Sequence, residues 1–292
     1  MRDLILELAQ RHLPDAKLVT RVFQDGFRHV AYEIDGTSVL KVARAGTLPE
    51  ELRVEAGLLQ ALDGAELPIP RLIAFDDGPP PFMLSTRVPG TQLSHLPQPW
   101  QTGLVKSIAR GLGTIHQTPL SPSIRTIVDE MDVARRWEGG TEELQTEGFL
   151  SDEQAYVLNR MLDDNWPRFS ATPLVLTHSD FWPHHCIVSP SAELSGFIDF
   201  ADATLAAPAW DLSFPWMTFF GIGRERIVAA YKEQNGLGPE FLEEVEFYSV
   251  FWALRMPRWA KEHNLGFRGG RTALSVLNHF FSRHETGSRR VY

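Results

Sequence analysis

A chain of 292 residues with 43% hydrophobic content can bury the core of one large domain or two closely packed lobes, which excludes intrinsic disorder. Its 37 acidic and 28 basic side chains leave a formal net charge of -9, which argues against nucleic acid or an anionic membrane as the main partner and suits a cationic ligand. The single cysteine, Cys186, has no partner for an internal disulfide, and the apolar run at Leu4 to Leu8 is broken by Glu7 and followed by Arg11 and His12, unlike a signal peptide. No stretch approaches the roughly 20 apolar residues of a membrane span. A cytoplasmic, monomeric protein is expected.

Leu4, Ile5, Leu8 and Ala9 recur at helical spacing, so a short amphipathic helix is predicted over Arg2 to His12. Three strands follow, over Lys17 to Phe23, Val30 to Ile34 and Ser38 to Ala43. A turn at 24–28 separates the first two and an Asp35-Gly36 hairpin the last two. Alternation along the third strand turns Lys41 to the face opposite Leu40 and Val42. Glu50 to Leu62 is a helix with Leu52, Leu58, Leu59 and Leu62 apolar. After the extended Leu67-Pro68-Ile69-Pro70 segment, strands are predicted at Leu72 to Phe75 and Phe82 to Thr86, and Val88-Pro89-Gly90 ends the sheet.

Trp100 to Gln117, with Leu104, Ile108, Leu112 and Ile115 in a stripe, is a long helix that Pro119 closes. His116 at its end is assigned a structural role. Acidic residues are dense from Asp129 to Glu153, as on a solvated helical face or as a wall facing a cationic ligand. From Leu212 the chain reads as helical to Phe281, with Asp211 expected to cap the first helix and brace the loop, and with Asp202 in a turn. Trp216, Trp252 and Trp259 suit a core or a stacking surface for a sugar-like ligand. The basic residues Arg255, Arg258, Lys261, Arg268 and Arg271 collect late; were their helix to line the ligand pocket, they would favour an anionic or neutral ligand.

The stretch from Leu174 to Phe214 carries the chemistry. Leu174 to Thr177 is a short apolar strand that delivers His178 and Asp180 into a loop kept from helix by Pro183. Cys186 to Val188 and Leu194 to Ile198 form a hairpin about a Ser-Pro-Ser turn and end in Asp199. Two carboxylates and a histidine therefore meet at one end of a hairpin. Phosphoryl transfer from a nucleotide asks for such a set: one carboxylate at the attacking hydroxyl and ligands for a magnesium ion that bridges phosphate oxygens.

The ordered motifs His178-x-Asp180-x4-His185, Ile198-Asp199-Phe200 and Pro208-Ala209-Trp210-Asp211-Leu212 resemble the aminoglycoside phosphotransferase family. The resemblance runs from about Val19 to about Phe219. It implies an α+β, bilobal, protein-kinase-like fold shared with choline kinases: an antiparallel β-sheet N-lobe over 1–88 and a mainly α-helical C-lobe over 89–292. Asp180 is then the catalytic carboxylate, with His178 beside it. Lys41 holds phosphates and pairs with Glu55, and His185 and Asp199 bind Mg2+. Gly26 and Arg28 lie where the family clamps phosphates, although a single glycine there makes a thin loop that Arg28 or His29 would have to supplement. Thr86 and Val88 occupy the hinge that holds the base, with the small Ser85 at its back. The family usually has asparagine at position 185; members with histidine include macrolide phosphotransferases. His185 also has the plainer reading of a loop-ordering partner of Asp180, and His184 is expected to point away.

The implied function is magnesium-dependent transfer of the γ-phosphate of ATP or GTP to a hydroxyl of a small molecule, an aminoglycoside-type or related antibiotic in the leading reading. A kinase of a metabolic sugar or amino alcohol and a non-catalytic kinase-like binding protein are the alternatives. A protein kinase is disfavoured, since no activation segment ending in Ala-Pro-Glu follows Asp199.

Overall fold

The structure is a computed structural model and describes residues 2–23, 29–44, 50–97, 101–129, 140–218, 222–262 and 268–283. Helix α1 (Arg2–Gln10) precedes strands β1 (Val19–Phe23), β2 (His29–Ile34) and β3 (Ser38–Ala43). Helix α2 (Glu50–Ala61) then leads to β4 (Leu72–Asp76) and β5 (Phe82–Thr86). These form one antiparallel five-stranded sheet of order β1-β2-β3-β5-β4. The first strand begins at Val19, two residues later than the pattern of hydrophobicity suggests. The Lys17 and Leu18 N–H groups are taken by the Asp35 carboxylate at the hairpin turn and not by a neighbouring strand.

Strand alternation gives the sheet two apolar faces with different partners. Leu40, Val42, Phe82 and Leu84 turn one way and bury Ile5, Leu8 and Ala9 of α1. Met83 turns the other way and packs against Leu52, Ala56 and Leu59 of α2. The opposite flank of α2 carries Leu58 into the larger core of the chain, with Leu62 just past its end, so this one helix ties the sheet to the helical part. Glu55 sits in the buried stripe of α2 and needs a cation there.

Beyond β6 (Thr91–Gln92) the chain is mainly helical: α3 (Thr102–His116), α4 (Pro122–Ile127), α5 (Gly140–Thr146) and α6 (Asp152–Phe169). Three short strands follow, β7 (Val175–Thr177), β8 (Cys186–Val188) and β9 (Leu194–Phe197), then β10 (Thr204–Ala206). The chain closes with α7 (Pro208–Thr218), α8 (Ile222–Gln234), α9 (Glu240–Glu262) and α10 (Arg268–Arg283). Ser151 starts α6 with a reciprocal capping box to Gln154. The apolar stripe of α3 is fully buried, and Cys186 lies in the same core, where burial pushes its thiol pKa up. This is the α+β arrangement expected from the sequence. No helix among the described residues is long and apolar enough to cross a membrane.

Backbone contacts set the segments that flank the five-stranded sheet against the β8–β9 hairpin. The Phe197 N–H donates to the Pro68 carbonyl at 2.7 Å, and Thr91 pairs with Val188. Gly196 makes the first possible, because a Cβ there would stand 2.7 Å from the Pro68 carbonyl oxygen and 3.1 Å from Val88 Cγ1. The nearer neighbour is backbone, so overpacking cannot relax by a side-chain rotation alone. Gly196→Ala is expected to destabilise the protein by about 1–3 kcal/mol in urea unfolding, and a change under about 0.5 kcal/mol would count against this close approach.

Candidate active site

The antiparallel register fixes the position of Lys41 first. Lys41 pairs with Ala31 and Met83, so it shares the α2-facing side of the sheet with Met83 and stands opposite Glu55. Its Nζ donates to both Glu55 oxygens at 2.9 and 2.7 Å and to Asp199 Oδ1 at 3.0 Å. Only 1% of the Glu55 side chain and 10% of the Lys41 side chain are exposed, so each charge depends on the other. Burial pulls the lysine pKa down, but the Asp199 and Glu55 carboxylates outweigh it and raise it, keeping the ammonium charged. Burial raises Glu55 despite the same ammonium, and the Phe200 N–H adds a long hydrogen bond to its Oε1. At Asp199 burial pushes up, yet Lys41 and the histidines at 185 and 29 pull further, and the pKa lies well below the usual carboxylate range.

The loop after β7 supplies the rest. Ser179 adopts φ 61°, a left-handed conformation that a serine reaches only when held. Asp211 holds it, accepting the His178 N–H at 2.8 Å and the Ser179 N–H at 2.7 Å. Ser179 Oγ in turn accepts the Trp210 indole N–H at 3.1 Å, and Thr177 anchors the strand end on the Thr204 carbonyl. Asp211 is thus a buried residue inside α7, bracing the loop as expected but not capping its own helix. The helix begins at Pro208, a favoured first residue, and that signal was present in the sequence. The bonds made by Trp210 and Thr177 were missed: Trp210 stands inside the 208–212 motif, but neither residue's partner can be read from spacing.

His178 is buried with both ring nitrogens engaged: Nε2 faces the Ile198 carbonyl at 2.9 Å, and Nδ1 accepts the Asp180 N–H at 3.2 Å. Burial lowers its pKa to about 4, so the neutral ring packs against Phe200 and sets the loop from behind. Asp180 faces the cleft with 28% of its side chain exposed. Desolvation in the cleft raises its pKa to about 7, opposed by His185 and assisted by Asp202 and Asp199.

His185 links the two carboxylates. Its Nδ1 contacts the Asp180 carbonyl at 2.8 Å, so both readings of this residue meet in one ring: it orders the loop and it faces Asp199. With Nδ1–H donating, Nε2 lies 3.5 Å from Asp199 Oδ2. A ring nitrogen and a carboxylate oxygen at that distance fit a cation between them, the ring proton or a metal ion. Among the described residues no cluster of three protein ligands exists. The pair therefore suits a magnesium ion completed by phosphate oxygens and water, and not a closed protein cage. His184 is exposed and stacks on Trp182, but it does not point away from the site as expected: its ring meets that of His185 edge-on at 4.2 Å.

At the hinge, the Thr86 N–H donates to the Arg71 carbonyl and its hydroxyl accepts the Arg71 N–H, both at 2.8 Å. The Val88 N–H has no hydrogen-bond partner among the described residues. Ser85 pairs with Val39, two residues from Lys41, and so lies on the cleft-facing side. His29 shares that side, because it pairs with Ala43 where Ala31 pairs with Lys41. Gly26 and Arg28 lie outside the described residues, as do residues 130–139 of the acidic run. The side chains of Trp216, Trp259, Arg258, Lys261, Arg268 and Arg271 are likewise outside it. Trp252 stacks on Trp210 at 4.8 Å and belongs to the core, and Arg255 lies over its ring.

The raised Asp180 carboxyl has a consequence for stability in magnesium- and nucleotide-free protein. Folded, it keeps its proton up to about pH 7; unfolded, only to about 3.8. Between these values the native state binds more protons, so the contribution of Asp180 to stability falls as pH rises. Asp180→Asn removes that titration. Its stability relative to wild type is expected to increase from about pH 4 to about pH 8 in thermal melts. An offset that is constant or shrinks over this range would sink the assignment.

Residues 19–245 match the phosphotransferase enzyme family APH. A curated relative, the uncharacterized protein YcbJ of Bacillus subtilis (strain 168), is 25% identical over 191 residues, or 57% of this chain and 55% of that protein. The chain thus spans about half the length of the curated relative it matches. Among solved structures, the GDP and kanamycin complex of APH(2")-IIia aligns with a TM-score of 0.74 at 18% identity, over 96% of this chain and 99% of that one. The apoenzyme of macrolide 2'-phosphotransferase MphH from Brachybacterium faecium aligns at 0.69 and 19%, over 94% and 97%. At these identities the likeness is one of fold, the two-lobed kinase-like α+β architecture. The family match covers both the sheet that carries Lys41 and the hairpin that carries Asp199, and the chain belongs to the phosphotransferase enzyme family APH.

Proposed function

We propose that the protein transfers the γ-phosphoryl group of ATP or GTP to a hydroxyl of a small molecule, with magnesium, and that the acceptor is an aminoglycoside-type or related antibiotic. One observation carries the reading: Lys41 bonds Glu55 and Asp199 while His185 joins Asp199 to Asp180. Groups suited to phosphate, metal and acceptor thereby share one cleft. In this reading residues 1–88 carry the nucleotide and 89–292 the catalytic loop and acceptor.

Lys41 stays cationic and binds phosphate oxygens, and Glu55 fixes its direction. Asp199 and His185 would hold a magnesium ion, which would supply charge neutralisation to the nucleotide phosphates. Asp180 accepts the proton of the acceptor hydroxyl at a carboxylate oxygen, and a pKa of about 7 suits a base working near neutrality. Val88 offers its open N–H to the base, with Thr86 fixed beside it and Ser85 leaving room behind. A loose transition state needs little covalent help, so positioning and charge supply most of the rate.

The exposed Asp202 lies in the field of Asp180, and the chain is acidic overall, which supports a cationic acceptor. Structural neighbours include complexes with kanamycin, gentamicin and streptomycin, besides macrolide 2'-phosphotransferases. The decisive experiment is turnover of ATP and of GTP against a panel of aminoglycosides, macrolides, sugars and amino alcohols. GTP is expected to work within about tenfold of ATP, and Asp180→Asn to lose about 10²- to 10⁴-fold in kcat while keeping nucleotide affinity. Transfer to no acceptor, or near wild-type turnover in the variant, would overturn the proposal.

Metal ligation is tested separately. Asp199→Ala is expected to abolish magnesium-dependent nucleotide binding, whereas His185→Asn keeps an oxygen ligand and should stay active. Magnesium titration of both variants reads this directly. A His185→Asn protein that is inactive at unchanged metal affinity would leave His185 with the loop-ordering role alone.

A further inference from the structure

Behind the loop that bears Asp180, the hydrogen-bond chain runs on past Asp211. Asp211 Oδ2 also meets His116 Nε2 at 2.9 Å, and His116 Nδ1 meets the Tyr231 hydroxyl at 2.7 Å. All three side chains are buried. The Asp211 oxygens already accept two backbone N–H groups, so the imidazole enters as a donor: Nε2 carries the proton and Nδ1 the lone pair. The Tyr231 O–H then donates to Nδ1. Every donor and acceptor along Tyr231, His116, Asp211 and the 178–179 peptides is matched in this one sense, and a polar chain in the interior is firm only when fully matched.

Resting on the phosphotransfer reading, we propose that Tyr231 and His116 are positioning residues for the reaction, acting on Asp180 through Asp211 and the Ser179 peptide. Ser179 lies at φ 61° and stays there because its N–H is held by Asp211. The carboxylate keeps its orientation because His116 donates to it, and the ring keeps its orientation because Tyr231 donates to the far nitrogen. The hydroxyl acts separately from the packing of its ring, which stacks on Phe241 at 5.6 Å and meets His116 edge-on at 5.5 Å. Tyr231→Phe keeps both ring contacts and removes only the donor. A residue three hydrogen bonds from the loop thereby sets the aim of the carboxylate that the loop carries.

The test joins kinetics to hydrogen exchange. Tyr231→Phe is expected to lower kcat about tenfold with nucleotide KM within about twofold, as a small misplacement of a reacting group does. The His178 and Ser179 amides should exchange faster than in wild type. His116→Leu, which severs the chain, should lose at least as much, while His116→Gln, with an amide N–H for Asp211 and an oxygen for Tyr231, should recover much of the loss. A purely structural role predicts instead a lower melting temperature with kcat and KM moving together, or no recovery by glutamine, and either result overturns the proposal. So does wild-type kcat with unchanged exchange in Tyr231→Phe. Exchange is read without substrate, so it separates the two readings. If wild type transfers to no acceptor while exchange quickens in the variant, the phosphotransfer reading falls and the coupling to the loop stands.

Discussion

A buried ammonium between two carboxylates governs the molecule. Lys41 comes from the sheet, Glu55 from α2 and Asp199 from the end of the β8–β9 hairpin, so one triangle of charge obliges three separate elements to meet. Removing a single corner leaves a charge in the interior without its counterpart, which costs about 3–5 kcal/mol for pairs of this depth. The rest of the arrangement can be derived from that demand. The α2 stripe must admit a glutamate, the sheet must turn alternate residues to different helices, and the hairpin must end facing the sheet.

The loop after β7 answers a second demand, that of holding backbone in unfavoured conformations. Ser179 and Asp199 both lie at positive φ without being glycine. Each is fixed from outside its own segment: Ser179 by Asp211 and Trp210 of α7, Asp199 by the ion pair to Lys41. Rigid aromatic packing behind them, with Trp210, Phe197 and Phe200 fully buried, keeps those holding groups in place. Conformational cost at the site is thus met by the packing of the helical part, where ordinary core contacts are plentiful.

Much of this was legible in the sequence because it rests on local rules. Hairpin turns, strand alternation and helical stripes located the sheet, α2 and α3 within a few residues, and the motifs at 178–185 and 198–200 located the cleft. The errors occurred where a side chain answers to a distant partner. The carboxylate at 211 read as a cap because its true donors, the 178 and 179 peptides, are some thirty residues away. The split character of His185, bonding one aspartate by Nδ1 and facing another by Nε2, is equally invisible to spacing. Tyr231 carries no motif, because what distinguishes it is the identity of one neighbour, His116, brought near by the packing of α8 on α3.

The pinning of Pro68 to Phe197, together with the pairing of Thr91 with Val188, has a consequence for motion. A rigid body fastened at two points retains one rotation, about the line that joins them. Both fastenings lie on the β8–β9 hairpin, whose start adjoins His185 and whose end leads to Asp199. The Lys41–Asp199 ion pair and the packing of Leu58 into the larger core fasten the sheet a third time, off that line. Rotation of the sheet about the hairpin therefore requires the ion pair at Asp199 to break first.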